Sequence, residues 1–190
     1  MTATIAEPLI IESLEELQYI QSEPFTQLRF ISGTSLNHTF GAICIVYDID
    51  IDAVLVIPYF LKKSHEQLEK IEISENPESL ALRLIVKEAE MKSSRVNVLG
   101  SPIGVPDKRS LDQTFFKYIV LITNFEPEDR IEIEVNSTKT GKPVWVKREL
   151  LRYIFEEKPL INDFPRKHPH LEAYQRFMED FPLRSELEQW

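Results

Sequence analysis

The chain is poor in cysteine and glycine, and it has no long apolar run. A single cysteine, Cys44, among 190 residues excludes an intramolecular disulfide framework. Only five glycines are present, which argues against a glycine-rich loop that cradles a nucleotide. No apolar run approaches the roughly 20 residues that a bilayer-spanning helix needs. The first residues lack the basic start and apolar core of a signal peptide. These absences predict a reduced, cytoplasmic protein that makes no membrane contact.

Positive charge is also scarce, since 22 Lys and Arg stand against 31 Asp and Glu, for a net charge of −9. A field of this sign repels polyanions, which excludes a general phosphate-backbone binder. One segment departs from this balance. Between residues 139 and 152, Glu149 is the only acid, and the basic residues are Lys139, Lys142, Lys147, Arg148 and Arg152. A local basic face of this kind suits an acidic partner.

Apolar residues make up 43% of the chain, enough for a sizeable core. Residues 42–47 and 53–57 are apolar at every position, and 114–123 is aromatic and β-branched. Burial on both faces is typical of the central strands of a covered sheet, so we predict three such strands. Cys44 lies inside the first of them, where an inert packed thiol is expected.

Helix-start signals recur along the chain. The segments 13–16 and 64–67 fit the capping-box pattern, and Asn76 before Pro77 is the strongest start, predicting a helix to about residue 92. Two more helices are predicted near the C-terminus. The first spans 148–157, with Leu151, Ile154 and Phe155 inward, and the second spans 169–181, with Leu171, Tyr174, Met178 and Phe181 on one face.

This element order predicts one α+β domain over residues 1–190, with a mixed, mostly antiparallel sheet of about five or six strands flanked by helices. Alternation at 131–135, resumed at 144–146, predicts an antiparallel hairpin at a sheet edge. The segment 100–107 holds two glycines and two prolines. It is therefore a predicted loop and a weak candidate for an internal domain boundary.

Asp48, Asp50 and Asp52 separate the first two apolar strands and share one parity, so an extended chain would place them on one side. Either the aspartates form the solvated tip of a hairpin or they bind a cation. A calcium loop of the EF-hand type is excluded, because Ala53 and Tyr59 occupy the positions of its glycine and bidentate glutamate. We favour the solvated turn.

Asp52 followed by Glu90-Met91-Lys92 resembles the Asp…Glu-x-Lys arrangement of metal-dependent nucleases. That chemistry needs the Glu and Lys side by side, as on a strand. The predicted helix turns residues two apart about 200° away from one another. A metal-dependent hydrolase or nuclease that uses Asp48, Asp50, Asp52 and Glu90 is thus an alternative function.

The favoured function is non-enzymatic, namely an accessory protein that binds a protein partner. Trp145 and Tyr153 are interleaved with the basic residues of 139–152, and Leu183, Leu187 and Trp190 form an apolar C-terminal tail. The predicted binding residues are Lys139, Lys142, Trp145, Lys147, Arg148, Arg152 and Trp190. RNA or DNA contact through the same face is the binding alternative. The alternative without a binding role is that these cations only form ion pairs with neighbouring carboxylates. No catalytic residue, metal ligand or cofactor is assigned, and oligomeric state is left open.

Overall fold

The computed structural model describes residues 10–21, 27–59, 75–89, 93–107, 110–125, 143–156 and 169–181. Its strands are β1 (Ile10–Ile11), β2 (Gln27–Thr34), β3 (Phe40–Asp48), β4 (Ala53–Tyr59), β5 (Ser93–Val98), β6 (Ile103–Asp107), β7 (Ser110–Phe125) and β8 (Val144–Lys147). Its helices are α1 (Leu14–Gln21), α2 (Pro77–Ala89), α3 (Leu151–Phe155) and α4 (Pro169–Asp180). A 3-10 turn at Arg148–Leu150 leads into α3.

The described strands form one mixed sheet of eight in the order β1-β8-β4-β2-β3-β7-β5, with β6 paired to β7. Only the β1–β8 and β3–β7 pairs are parallel. Strand β2 fits between β3 and β4, pairing with β4 through its first half and with β3 through its second. The predicted α+β class is confirmed. The sheet is larger than expected, because short segments such as β1 join it by pairing rather than by any pattern of their own.

Burial on both faces is confirmed for two of the three predicted central strands. In the third, β7, residues 119–122 are buried but Thr114 and Phe116 are exposed. Residues 43–46 of β3 and 53–56 of β4 are fully inaccessible. Cys44 lies against α2, with its Sγ 4.0 Å from the carbonyl oxygen of Ala81. Tyr47, of opposite parity, packs on Phe177 of α4 with ring centroids 5.2 Å apart. Because successive side chains of a strand point to opposite faces, α2 and α4 cover opposite faces of β3.

The capping signals are also confirmed. In α2, the Ser79 amide donates to Asn76 Oδ1 at 2.7 Å, and the buried side chains include Leu80 and Leu84. In the first capping box, the Glu16 amide donates to Ser13 Oγ at 3.2 Å. The second box, at 64–67, lies outside the described residues, as do residues 90–92 of the helix predicted to follow Asn76. Local hydrogen bonding therefore determines where α1 and α2 begin, whereas α3 begins without a side-chain cap.

Two sequence-based expectations were wrong. Strand β8 is not at an edge, because it pairs with β4 on one side and β1 on the other. Its residues 144–146 are fully buried, as in an inner strand that is covered on both faces. The expected loop at 100–107 contains β6, which pairs with β7. A Cβ at Gly104 would meet Thr114 Cγ2 at 2.8 Å, so a residue taken as a loop signal instead permits this pairing.

The two C-terminal helices are confirmed with modified bounds. The segment predicted as one helix from 148 divides into the 3-10 turn and α3, which buries Leu151, Ile154 and Phe155 as expected. Helix α4 buries His170, Ala173, Tyr174 and Phe177. The predicted residues Leu171, Met178 and Phe181 flank this centre as partly buried side chains. Strand 131–135 lies outside the described residues. Within the described ranges, no helix has the length and apolarity needed to cross a membrane.

The burial of Cys44 leads to a test of the core. Desolvation raises the pKa of its thiol to about 12, so on the order of one molecule in 10⁴ carries the thiolate at pH 8. We expect a thiol reagent such as 5,5′-dithiobis(2-nitrobenzoic acid) to label Cys44 only after denaturant unfolds the chain. Native labelling at the rate of the unfolded protein would contradict the packing of β3 against α2.

Candidate functional site

The aspartates lie on the turn that joins β3 to β4. Asp48 closes β3 with only 4% of its surface exposed, and its Oδ1 accepts the Asp50 amide at 3.0 Å. Asp50 is exposed, at the outer part of the turn. Asp52 has a φ of 50°, in the left-handed region. The turn thus removes the common parity expected of an extended chain, and each carboxylate has its own environment.

Asp52 makes the densest set of polar contacts at this turn. Its Oδ1 accepts the Tyr47 hydroxyl at 2.5 Å and Arg148 Nε at 2.7 Å. Its Oδ2 lies 3.5 Å from Arg148 Nη2, and its carbonyl oxygen accepts the Arg148 amide at 2.9 Å. Side chain and backbone of Asp52 therefore both bind Arg148.

The charges at this turn are set by these contacts. Burial alone would raise the pKa of Asp52, but hydrogen bonds from Arg148 and Tyr47 and the positive charge of Lys147 outweigh it and lower that pKa. Burial and the hydrogen bond to Asp52 raise the pKa of Tyr47 to about 12, against the opposing charge of Arg148. At neutral pH the cluster thus holds an anionic Asp52, a cationic Arg148 and a neutral Tyr47.

Arg148 joins three distant parts of the chain. Its side chain is 6% exposed, while that of Asp52 is 45% exposed. Besides Asp52, Arg148 donates from Nη1 to the carbonyl oxygen of Phe181, just beyond α4. Its guanidinium carbon lies 5.7 Å from the centroid of the Tyr47 ring. The arginine therefore connects the β3–β4 turn, the end of β8 and the end of α4.

The predicted binding residues are distributed unevenly. Trp145 is fully buried in β8, so its ring has no surface with which to stack on a base or a partner. Lys147 is half-buried, and its Nζ donates to the carbonyl oxygen of Ile51 at 2.5 Å. Arg152 is exposed on α3. Three further predicted binding residues, Lys139, Lys142 and Trp190, lie outside the described residues. Their binding role stays a prediction.

The metal-dependent alternative requires several acidic side chains to converge on one point. In the part of the chain that the structure describes, no three His, Cys, Asp or Glu side chains converge as metal ligands. Helix α2 ends at Ala89, and the Glu90-Met91-Lys92 motif lies outside the described residues. A cation at Asp52 would have to compete with Arg148 for the same carboxylate oxygens.

Sequence reasoning missed Tyr47 and Phe181 as members of this cluster. The sequence pattern indicates Tyr47 only as the last apolar position of β3, although a tyrosine at a strand end often places its hydroxyl on a polar partner. Phe181 contributes a backbone carbonyl oxygen and a ring stacked 5.6 Å from that of Tyr47. A carbonyl contact of this kind has no side-chain signal in a sequence.

No family model matches the chain, and no curated protein matches it. Among solved structures, the chain is similar to Shewanella oneidensis NrtR complexed with a 27mer DNA (12% identity, TM-score 0.45, 73% of this chain and 60% of that chain). It is also similar to C. elegans Ap4A hydrolase (11% identity, TM-score 0.41, 73% of this chain and 93% of that chain). A third similar structure is a Nudix hydrolase from M. Smegmatis, RenU (17% identity, TM-score 0.38, 76% of this chain and 87% of that chain). The chain thus spans 60% of the NrtR chain. At these identities and TM-scores the likenesses carry no information about activity.

Proposed function

We propose that this protein is a non-enzymatic accessory domain that binds a protein partner through a basic surface comprising Lys139, Lys142, Lys147, Arg152 and the C-terminal Trp190. Trp145 and Arg148 support this surface from within. The observation that carries the proposal is the surface pair formed by the exposed Arg152 and the half-buried Tyr153. The guanidinium carbon of Arg152 lies 4.7 Å from the Tyr153 ring centroid, and Nη2 donates to the Tyr153 hydroxyl at 2.7 Å.

The Arg152–Tyr153 pair has the properties of an interface anchor. Arginine and tyrosine are enriched among the residues that dominate binding energy at protein interfaces. A guanidinium already stacked on a ring loses less conformational entropy when it binds than a freely rotating side chain does. The pair therefore presents charge and aromatic area in a fixed arrangement.

Helix α3, which carries the pair, packs closely against the core. The Phe155 ring stacks on Phe30 of β2 with centroids 4.6 Å apart and on Tyr174 of α4 at 5.4 Å. Leu151 and Ile154 are buried on the same side of α3. Because α3 has only five residues, this packing rather than its own backbone hydrogen bonding keeps it helical.

RNA or DNA contact through the same surface is the second candidate, since arginine and tyrosine also stack on bases. The net charge of −9 favours the protein partner, because the molecule as a whole repels a polyanion. Lys147 and Arg148 are moreover engaged with Ile51 and Asp52. Fewer cations are thus available for phosphates than the sequence alone indicated.

The hydrolase alternative would use Asp48, Asp50, Asp52 and Glu90. A double variant, Asp50→Asn with Asp52→Asn, distinguishes it from the binding function. A metal-dependent hydrolase would lose activity in this variant, and the melting temperature of the wild type would depend on divalent cations. For an accessory domain we expect no divalent-cation dependence of the melting temperature. The ion pair of Asp52 with Arg148 leads us to expect a loss of stability in either case, measured by urea denaturation.

The experiment on the basic surface compares affinity capture from native lysate by the wild type, Arg152→Glu and Tyr153→Ala. The matched control is Lys87→Glu, the same charge reversal at an exposed residue of α2. We expect one protein to be recovered by the wild type and the control, with nuclease treatment having no effect. Its affinity, measured with the purified partner, should fall at least about tenfold in both surface variants.

Two results would count against this proposal. Equal recovery by Arg152→Glu, Tyr153→Ala and Lys87→Glu would place the partner on another face. Recovery that nuclease abolishes, with an affinity that falls steeply as salt rises, would support the nucleic-acid candidate instead.

A further inference from the structure

Asp52 adopts a backbone conformation that costs free energy, and the structure contains a reason for it. Its φ of 50° lies in the left-handed region, which residues with a Cβ seldom adopt, although Asp and Asn do so more readily than most. Such conformations persist when surrounding contacts determine them, and they often mark a site with a role. Here the compensating contacts are the carboxylate and carbonyl bonds to Arg148.

Arg148 is the first residue of the 3-10 turn that becomes α3, so whatever fixes Arg148 also fixes where α3 starts. Its amide and its guanidinium both bind Asp52, at 2.9 and 2.7 Å. Four residues further on, Arg152 carries the guanidinium of the Arg152–Tyr153 pair. A displacement of Arg148 would therefore be transmitted along one helical turn to the pair.

We infer that Asp52 is a positioning residue that acts through Arg148, so that the β3–β4 turn sets the geometry of the Arg152–Tyr153 pair. The importance of that geometry rests on the proposed function, whereas the positioning itself is a property of the fold. Asp52 need not touch the partner to change binding. Asp52, one of the four acids of the hydrolase alternative, is assigned to orienting a surface formed 100 positions later in the chain.

The Lys147 contact supports the same coupling. Its ammonium donates to the carbonyl oxygen of Ile51, the neighbour of Asp52, and Lys147 pairs in register with Ala53. The β3–β4 turn therefore holds the end of β8 through two adjacent side chains and a strand pairing. Arg148 also binds the carbonyl oxygen of Phe181, which ties the end of α4 to the same point.

The test uses the full chain labelled with 3-fluorotyrosine, with the Tyr153 fluorine resonance assigned through Tyr153→Phe. Asp52→Asn removes the charge but keeps the side-chain size and a residue type that tolerates positive φ. The matched control is Glu75→Gln, which breaks the ion pair with Arg83 (2.9 Å) at the start of α2. We expect Asp52→Asn to move the Tyr153 resonance by more than its line width and Glu75→Gln to leave it in place.

Action through Arg148 is tested by combining variants. In an Arg148→Gln background, adding Asp52→Asn should produce no further shift, because the residue that transmits the effect is already changed. Additive shifts, or an unchanged Tyr153 resonance in Asp52→Asn, would overturn the inference. Should Asp52→Asn not fold, Arg148→Lys replaces it, since lysine keeps the charge but lacks the fork that binds Asp52 and Phe181 together.

The same variants separate this inference from the proposed function. A shifted Tyr153 resonance with unchanged partner capture by Arg152→Glu would refute the binding proposal and leave the positioning intact. If the Tyr153 resonance does not move but Arg152→Glu loses partner capture, the positioning inference is refuted and the binding proposal stands.

Discussion

Replacing Trp145 by alanine is expected to lower the free energy of unfolding by about 3–5 kcal/mol, a large part of the roughly 5–15 kcal/mol that holds a domain together. Trp145 is fully buried in β8. It lies opposite Leu55 of β4 on one side and Ile10 of β1 on the other. Truncation would leave a cavity that these strands cannot close. Urea denaturation followed by circular dichroism gives the midpoint and slope needed to measure the loss.

Two control variants test whether this loss of stability comes from the buried volume of the Trp145 ring. Trp145→Phe should cost less, because most of the apolar volume is retained. Val86→Ala, at a side chain that is 49% exposed on α2, should change stability by less than about 0.5 kcal/mol. A Trp145→Ala protein within 1 kcal/mol of the wild type would contradict the burial of the ring. Any loss of partner binding in Trp145→Ala must be interpreted only after its stability is known.

Replacing Arg148 by alanine is the second large change, with an expected loss of about 3 kcal/mol. The variant removes a nearly buried guanidinium that binds Asp52 and the carbonyl oxygen of Phe181. Because the side chain of Asp52 is 45% exposed, water partly compensates the carboxylate left behind. This places the cost at the lower end of the range for breaking a buried pair. Thermal or urea unfolding at pH 7 measures it, and Arg152→Ala is the exposed control.

The pH dependence of that loss has a defined sign. The pKa of Asp52 is lower in the folded chain than in the unfolded one, where it is about 3.9. Its ion pair thus contributes fully above pH 5 and loses its contribution as the pH falls through the folded value. The stability difference between wild type and Arg148→Ala should be constant from pH 5 to 8 and shrink below pH 4. A difference independent of pH down to 2 would show that Asp52 contributes nothing.

Those parts of the fold that depend on neighbours in the sequence were predictable. Asn76, Ser13 and Glu16 begin helices because their side chains bond to amides within four residues. The uninterrupted apolar runs at 42–47 and 53–57 form covered strands because nothing in them tolerates water on either face. The solvated-turn interpretation correctly placed the aspartates at a hairpin. It was wrong about their solvation, because only Asp50 is exposed, Asp48 is buried and Asp52 is partly buried.

Those parts that depend on partners distant in the chain were not predictable. The pattern of β8 is as consistent with an edge as with an inner position, and only the pairing with β1 and β4 decides between them. The sequence predicts Arg148 to be one of several surface cations. It is buried because Asp52, 96 positions earlier, and the carbonyl oxygen of Phe181 both accept its hydrogen bonds.

The sequence by itself determined the α+β class, the starts of α1 and α2, the inward faces of α3 and α4, and the two central strands. Each follows from spacing or capping over a few residues. Only the tertiary structure decided which cations remain at the surface and how each aspartate is used. Charge pairing takes place between side chains that folding brings together, and a left-handed residue such as Asp52 is stabilised by contacts with no local signal.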